Sequence, residues 1–184
     1  HHSMAIRIEK PAFNLRSKLN ELDYERIPYQ KIPYGTVIDI DYARNATLST
    51  HTNTHTTCVG PVVISRKDRN NAIWLYTSVM YYHTNANGKF SFQVSFDDGT
   101  TWVDLMHFFA EDDPPWTNGY AARCVTGSYY YEPTGSMHEC DHPQFRTRFN
   151  HMTQNGGTLY LNRFKDGVGN CEGACTLTAM EIRR

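Results

Sequence analysis

The sequence has almost no net charge, no long apolar run and none of the short motifs that mark nucleotide-binding or serine-hydrolase sites. Its 18 lysines and arginines oppose 19 aspartates and glutamates, so the formal charge is −1 and a general nucleic-acid binder is not expected. No apolar run approaches the roughly 20 residues of a membrane-spanning helix, so we expect no membrane insertion. A P-loop, a dinucleotide fingerprint and a G-x-S-x-G turn are all absent from the sequence.

The composition is that of a folded globular protein. The chain has 184 residues, of which 40% are hydrophobic and 13% aromatic. This excludes a disordered chain and allows one domain with a substantial core. Residues 1–3 resemble the remnant of a purification tag, so we expect Met4 to be the native start.

Five cysteines do not make a disulfide scaffold in a chain of this length. The odd count leaves at least one thiol unpaired within the chain, and free thiols are the favoured interpretation. Two bridges between sequence neighbours remain open at this stage, Cys171–Cys175 and Cys124–Cys140.

The N-terminal part differs from the rest of the chain. Leu15, Leu19 and Leu22 follow helical spacing, which predicts a short amphipathic helix over residues 11–23. Prolines in residues 27–35 predict an extended linker after it. Because so short a helix is unstable alone, it must dock on its own domain or on a neighbouring chain. We therefore divide the chain into a tag remnant (1–3), a helix with its linker (4–35) and a head (36–184).

From residue 36 onward, short β-rich runs punctuated by turns replace helical periodicity. Residues 89–96 alternate apolar and polar side chains and predict a half-buried strand, joined by a tight turn to a partner at 101–110. A second hairpin is predicted from 144–150 and 157–164. The other predicted strands are 36–40, 61–65, 72–82, 121–131 and 176–182. The expected fold is mainly β, an antiparallel jelly-roll-type β-sandwich preceded by a short N-terminal α-helix.

Residues 95–102 fit the S-x-D-x-G-x-T-W pattern of the Asp-box, a motif found in sialidase propeller blades. One copy in a chain this short cannot build a propeller. We expect a turn device in which Asp97 accepts turn amides, Gly99 takes a positive φ and Trp102 packs over the hairpin.

The segment 138–142 concentrates metal-capable side chains. In an extended segment alternate residues share a face, so His138, Cys140 and His142 could bind one ion, with zinc the natural choice. The competing interpretation is a solvated loop, because paired C-x-x-C spacing is absent.

The long segment 110–142 places aromatic rings beside carboxylates, as sugar-binding loops do. Aromatic faces stack on sugar rings and carboxylates accept bonds from sugar hydroxyls. The alternative is that these rings cover the core or a subunit interface. Strand alternation predicts that Tyr130 faces away from its two neighbours. The candidate ligand-binding residues are Asp112, Asp113, Trp116, Tyr129, Tyr131 and Glu132.

Three stretches carry a resemblance to a known family: IRIEKPAFNLRSKLNELD at 6–23, TRF with GGTLYLNR at 147–149 and 156–163, and CTLTAMEI at 175–182. The first resembles the opening, and the others the end of the β-sandwich tip, of virion structural proteins, often tail-fibre-like, from tailed phages of marine bacteria. The cysteines and the 110–142 segment depart from that pattern.

The resemblance implies a non-enzymatic virion component, often a homotrimer, assembled in the host cytoplasm and then extracellular. Its helix would attach to other virion proteins, and its head would face outward. It transfers no catalytic residue and no cofactor. We expect a tail-fibre or appendage component that attaches to a host-surface glycan or decorates the particle. The alternatives are a monomeric carbohydrate-binding module and a glycan-active enzyme, which needs two carboxylates about 5 to 9.5 Å apart.

Overall fold

The structure is a computed structural model that describes residues 29–84, 88–111, 123–134, 140–151, 157–162 and 173–184. The chain divides into two units, His1–Pro33 and Tyr34–Arg184. The predicted helix at 11–23 lies outside the described residues. In the tract predicted to be extended, Tyr29–Lys31 instead forms a 3-10 turn, which Ile32 N closes by donating to the Tyr29 carbonyl at 3.1 Å.

The second unit consists of antiparallel strands in two sheets. Sheet A has the order β1-β10-β4-β9-β2, with β7 also paired to β4, and sheet B has the order β3-β8-β5-β6. The described strands are β1 (Val37–Asn45), β2 (Ser49–Thr52), β3 (Thr56–Val63), β4 (Ala72–Thr84), β5 (Gly88–Ser95), β6 (Val103–Glu111), β7 (Arg123–Tyr131), β8 (Gln144–His151), β9 (Thr158–Leu161) and β10 (Cys175–Ile182).

Strand order identifies the winding as a jelly roll. Apart from the short β2 and β9, sheet A has the order β1-β10-β4-β7 and sheet B the order β3-β8-β5-β6. In each sheet a strand from late in the chain lies between two earlier strands: β10 between β1 and β4, and β8 between β3 and β5. That nesting is what two Greek keys produce. The long β4 makes it possible, because β10 and β9 follow one another along one of its edges while β7 takes the other. The predicted mainly-β, jelly-roll-type sandwich is confirmed.

The first predicted hairpin is confirmed and the second is wrong. β5 pairs with β6 across the turn that follows Ser95. β8 and β9 do not pair, because β3 and β5 occupy both edges of β8 in sheet B. β9 belongs to sheet A, where it pairs with β4 and β2. The chain therefore crosses between the sheets where the sequence predicted a simple reversal.

The core lies between the sheets and is formed by the alternate residues that face inward. On β4 these include Ile73, Leu75 and Val79, all 0% exposed. A buried hydroxyl pair also joins the sheets, since Thr147 Oγ1 donates to Thr77 Oγ1 at 3.0 Å. Thr77 Oγ1 in turn donates to the Thr176 carbonyl at 2.7 Å, so the pair is satisfied without water.

A buried carboxylate fixes the loop between β3 and β4. Glu181 is 0% exposed, and its oxygens accept from the Lys67 amide at 2.8 Å and the Asp68 amide at 3.3 Å. The Asn71 side-chain amide donates to the same carboxylate at 2.7 Å. Hydrogen bonds to a charged group are stronger than neutral ones, so this one residue ties the loop to β10.

The polar face of β5 is buried, although the sequence predicts that it is exposed. Ser91, Gln93 and Ser95 are 0%, 2% and 1% exposed. β5 is a central strand of sheet B, and Arg146 on one neighbour and Asp104 on the other both reach over Gln93. Alternation assigned the two faces correctly, but long side chains from neighbouring strands cover the outer one.

The four described cysteines are free thiols, which confirms the favoured interpretation for them and excludes the Cys124–Cys140 bridge. Cys175 is free, so the Cys171–Cys175 bridge is excluded as well. Cys58 and Cys175 lie in the core, where burial raises the pKa of both thiols, that of Cys175 to about 11. Low thiolate content makes such thiols unreactive.

Candidate functional site

The residues predicted to bind glycan are only partly described. Tyr129 and Tyr131 lie on β7, and Glu132 follows directly after it. Glu132 is exposed and forms a surface ion pair with Arg184, whose Nη1 lies 3.6 Å from Glu132 Oε1. The remaining predicted residues lie outside the described chain: Asp112, Asp113 and Trp116.

The tyrosine run on β7 presents one ring outward and packs two against the core. Tyr131 is 3% exposed, and its ring centroid lies 5.8 Å from that of Phe145. Its hydroxyl has no hydrogen-bond partner among the described residues, and burial raises its pKa to about 12. Tyr129 is half-buried against the same core, whereas Tyr130 is 47% exposed. The predicted alternation of the run is confirmed, and Tyr130 is the ring available to a partner.

The proposed metal ligands are likewise split. His138 lies outside the described residues, whereas Cys140 is half-buried and His142 is exposed. The Cys140 carbonyl accepts from Arg66 Nη1 at 3.2 Å, which fixes the backbone rather than the thiol. The described residues contain no group of three His, Cys, Asp or Glu side chains able to hold an ion. The site formed by His138, Cys140 and His142 stays a prediction.

The Asp-box is a turn device, as predicted. Asp97 Oδ1 accepts from the Thr101 amide at 2.7 Å and from Ser95 Oγ at 2.8 Å. These bonds lower the Asp97 pKa to about 2. Gly99 has a φ of 83°, and Trp102 Nε1 donates to its carbonyl at 2.8 Å. The Asp97 carboxylate therefore stabilises the turn of the hairpin.

The outer side of sheet A carries a contiguous set of apolar side chains, all exposed except the half-buried Met180, which we call the apolar face. Trp74 and Tyr76 project from β4 opposite to the buried Ile73 and Leu75, because successive strand residues alternate. They are 46% and 45% exposed. The apolar face consists of Ile40 and Tyr42 on β1, Met180 on β10, Trp74 and Tyr76 on β4, and Tyr130 on β7.

Strand register joins these side chains into rows, because residues directly opposite one another in antiparallel strands share a face. In one row Ile40 lies opposite Met180, which lies opposite Trp74, which lies opposite Tyr130. The adjacent row contains Tyr42, Thr178, Tyr76 and Ser128. Neither row contains a charged residue, and depletion of charge around aromatic side chains is typical of interface centres.

An open groove runs along one end of the apolar face. Its volume is about 480 Å³, within the size range of small-molecule sites. Ser128 supplies the only side-chain hydroxyl in its lining apart from that of Tyr130, so the groove is mainly apolar. The lining residues are Gly35, Val37, Trp74, Ser128, Tyr130 and Ile182.

Sequence reasoning identified the strand that carries Trp74 and Tyr76 but not the surface that they form. The signal was present, because β4 is apolar on both of its faces. Continuous apolar strands are typical of sheets covered on both sides. Sheet B covers the inner side of β4, whereas Trp74 and Tyr76 on its outer side stay 46% and 45% exposed.

No family model matches this chain, and no curated protein matches it. Among solved structures, it is similar in fold to the Eiger TNF of S. frugiperda, with a TM-score of 0.48 and 7% sequence identity. The similarity covers 78% of this chain and 92% of that chain. In the described residues, no helix is long and apolar enough to cross a membrane.

Proposed function

We propose that this chain is a non-enzymatic virion structural protein, a tail-fibre or appendage component whose β-sandwich head self-assembles and attaches to a host-surface glycan. The sequence resemblance supports the setting. The apolar face supports the assembly, and it is the observation that carries the proposal. Localisation to the virion and attachment to other virion proteins through residues 11–23 belong to the same proposal.

The apolar face has the composition of an interface between protein subunits. Among the described residues ten large apolar side chains are exposed, and six of them lie on that side of sheet A: Ile40, Tyr42, Trp74, Tyr76 and Tyr130 of the apolar face, and Val37 in the groove. Clustered exposed apolar residues mark interaction sites, whereas isolated ones need no explanation. A second copy of this chain presents the same uncharged surface, so copies match one another in chemistry.

The assembly we propose is a homotrimer, the state common in the family that the sequence resembles. Closed rotational symmetry uses each copy's interface fully and prevents open-ended growth. Several heads presented together multiply a weak single-site affinity, which suits attachment to a repetitive surface.

Light scattering tests the assembly. A trimer has a mass of 3 × 21.2 = 63.6 kDa. We expect that mass for the native protein and a 21.2 kDa monomer when Trp74 and Tyr130 are both replaced by lysine. Lysine at these exposed positions adds charge without disturbing the core, so the variant should keep its unfolding temperature. A native monomer would count against assembly through this surface.

A monomeric carbohydrate-binding module is the second candidate, and the groove favours it. Exposed aromatic rings such as Trp74 and Tyr130 can stack on sugar rings. In this case a glycan array would show binding that Trp74→Ala removes, while the native mass is that of a monomer.

An assay for the release of reducing ends on the same array distinguishes a glycan-active enzyme from the virion structural protein and from the carbohydrate-binding module. Hydrolysis needs a carboxylate pair, and the predicted acidic residues are the ones to test. Release that disappears in Asp113→Asn and in Glu132→Gln would overturn the non-enzymatic proposal.

A further inference from the structure

The outer side of sheet B differs in chemistry from the apolar face. Lys89 on β5 and Arg146 and Arg148 on β8 all project from it, on the side opposite to the buried Phe90 and Phe149. We call these three side chains the basic face. They form a local concentration of positive charge in a chain whose net charge is −1.

A continuous hydrogen-bond network holds Arg146 and the polar floor beneath it. Arg146 Nε donates to Gln93 Oε1 at 2.8 Å, and Gln93 Nε2 donates to Asp104 Oδ1 at 2.8 Å. The Arg146 guanidinium also lies over the Trp102 ring, 3.9 Å from its centroid. Ser91 Oγ adds a bond of 3.2 Å to the same Asp104 oxygen. The floor is therefore rigid, and its one carboxylate is already engaged.

Arg148 is the group that this network leaves available. Its guanidinium makes no hydrogen bond or ion pair with any residue in the described ranges. It lies in register between Thr57 on β3 and Ser91 on β5, and it is partly exposed. Its charged neighbour is Arg146, whose pKa is lowered by burial and, secondly, by the charge of Arg148. Two like charges side by side stabilise a bound anion that can bridge them.

The other groups that face this region leave the charge unbalanced. Lys89 Nζ lies 2.9 Å from His107 Nε2 and can donate a hydrogen bond to it. Asp97, at the turn of the same hairpin, is committed to the Asp-box bonds. Asp104 keeps its negative charge, because its donors Gln93 and Ser91 are neutral, but the three cations of the described basic face outnumber that one carboxylate.

We propose that the basic face binds an anionic sugar group, the carboxylate or sulfate ester of an acidic polysaccharide, with Arg148 as the principal contact. The inference rests on the attachment role proposed above and names the chemistry of the ligand. The planar guanidinium fork of Arg148 matches either anion with paired hydrogen bonds. The exposed Thr57 hydroxyl, next to Arg148 in register, is suited to a sugar hydroxyl.

An acidic glycan fits this surface better than a nucleic acid does. Nucleic-acid binding depends on neutralising many phosphates in a row, and the described basic face offers three cations on two adjacent strands. Its position also suits attachment, because assembly through sheet A leaves the outer side of sheet B in solvent.

Affinity electrophoresis of the full chain tests the proposal. Native gels contain alginate as the carboxylate polymer, dextran sulfate as the sulfate polymer, neutral dextran as the uncharged parent, or duplex DNA. The variants are Arg148→Gln, Arg148→Lys and Lys67→Gln, the last of which removes one positive charge from an exposed loop residue on another part of the head. Light scattering and an unfolding temperature are recorded for every variant.

We expect one acidic polysaccharide to retard the native chain while neutral dextran does not. Arg148→Gln should weaken that affinity by about tenfold or more, because a charge-assisted contact is lost. Arg148→Lys should retain part of it, and Lys67→Gln should stay near the native value. Three results would each overturn the inference. They are an equal loss of affinity in Arg148→Gln and Lys67→Gln, retardation by DNA equal to that by the acidic polysaccharide, and no retardation by either acidic polymer.

Failure of the inference and failure of the proposed function give different results. Binding to neutral dextran alone, with a trimeric mass, would overturn the anionic-sugar inference and leave attachment and assembly in place. A monomeric mass with no binding to any polysaccharide would remove the proposed function and this inference together.

Discussion

Replacement of Trp74 by serine probes the apolar face at its centre. Trp74 is 46% exposed, and a packed aromatic side chain buries roughly 150–250 Å², so assembly through the apolar face would remove about 100 Å² of this residue from water. At about 25 cal/mol per Å², that burial is worth about 2.5 kcal/mol per protomer. A loss of this size weakens the association constant by about 70-fold for each protomer contact.

Sedimentation equilibrium over a range of protein concentrations measures this change directly. Val103→Ser is the matched control, because Val103 is an exposed apolar residue, 41% accessible, on β6 of the other sheet. We expect Trp74→Ser to dissociate at concentrations where the native protein and Val103→Ser remain assembled. Equal association constants for Trp74→Ser and the native protein would refute the assignment of the interface to the apolar face.

Three further predictions concern the fold that supports these surfaces. Because the pKa of Asp97 is about 2 in the folded chain against an ordinary value of 3.8, its contribution to stability is present above pH 3.8 and is lost as the pH falls towards 2. Acid titration of the unfolding free energy should show this loss in the native protein and not in Asp97→Asn. Glu181→Gln should cost about 2–3 kcal/mol of unfolding free energy, since an amide cannot accept all the bonds that the carboxylate accepts. The surface control Glu132→Gln should cost no more than about 1 kcal/mol, and equal costs by urea unfolding would contradict the argument. Tyr131→Phe removes a buried hydroxyl without a partner among the described residues, so thermal unfolding should show stability unchanged or raised by about 1 kcal/mol. A loss of that size would show that the hydroxyl is bonded.

Local patterns predicted most of the strands and the pairing of β5 with β6, but they predicted the wrong partner for β8 and β9. Alternation in β5 correctly identified Phe90, Phe92 and Val94 as core residues. The error at β8 and β9 arose because a hairpin and a crossover between sheets leave the same local signature, a turn between two β-rich runs. Which edges are free depends on strands distant in sequence, and β3 and β5 already flank β8.

The functional surfaces were harder to predict because they depend on register. Trp74, Tyr130 and Met180 lie far apart in sequence and become one row only through the pairing of three strands. Alternation predicted that Tyr130 faces away from Tyr129 and Tyr131, but it did not predict which of the two sides faces the core; in the structure Tyr131 is 3% exposed and Tyr130 is 47% exposed. Whether Arg148 is free depends on the side chains of two neighbouring strands, which the sequence of β8 does not contain.

Hydroxyl-radical footprinting tests the central claim, that the apolar face is buried by assembly, most directly. The labelling of each side chain reports its exposure to solvent and is compared at low and high protein concentration. We predict that Trp74, Tyr76 and Tyr130 lose most of their labelling as the mass rises, whereas Val103 on sheet B keeps its own. Undiminished labelling of the three aromatic residues in the assembled protein would contradict the account.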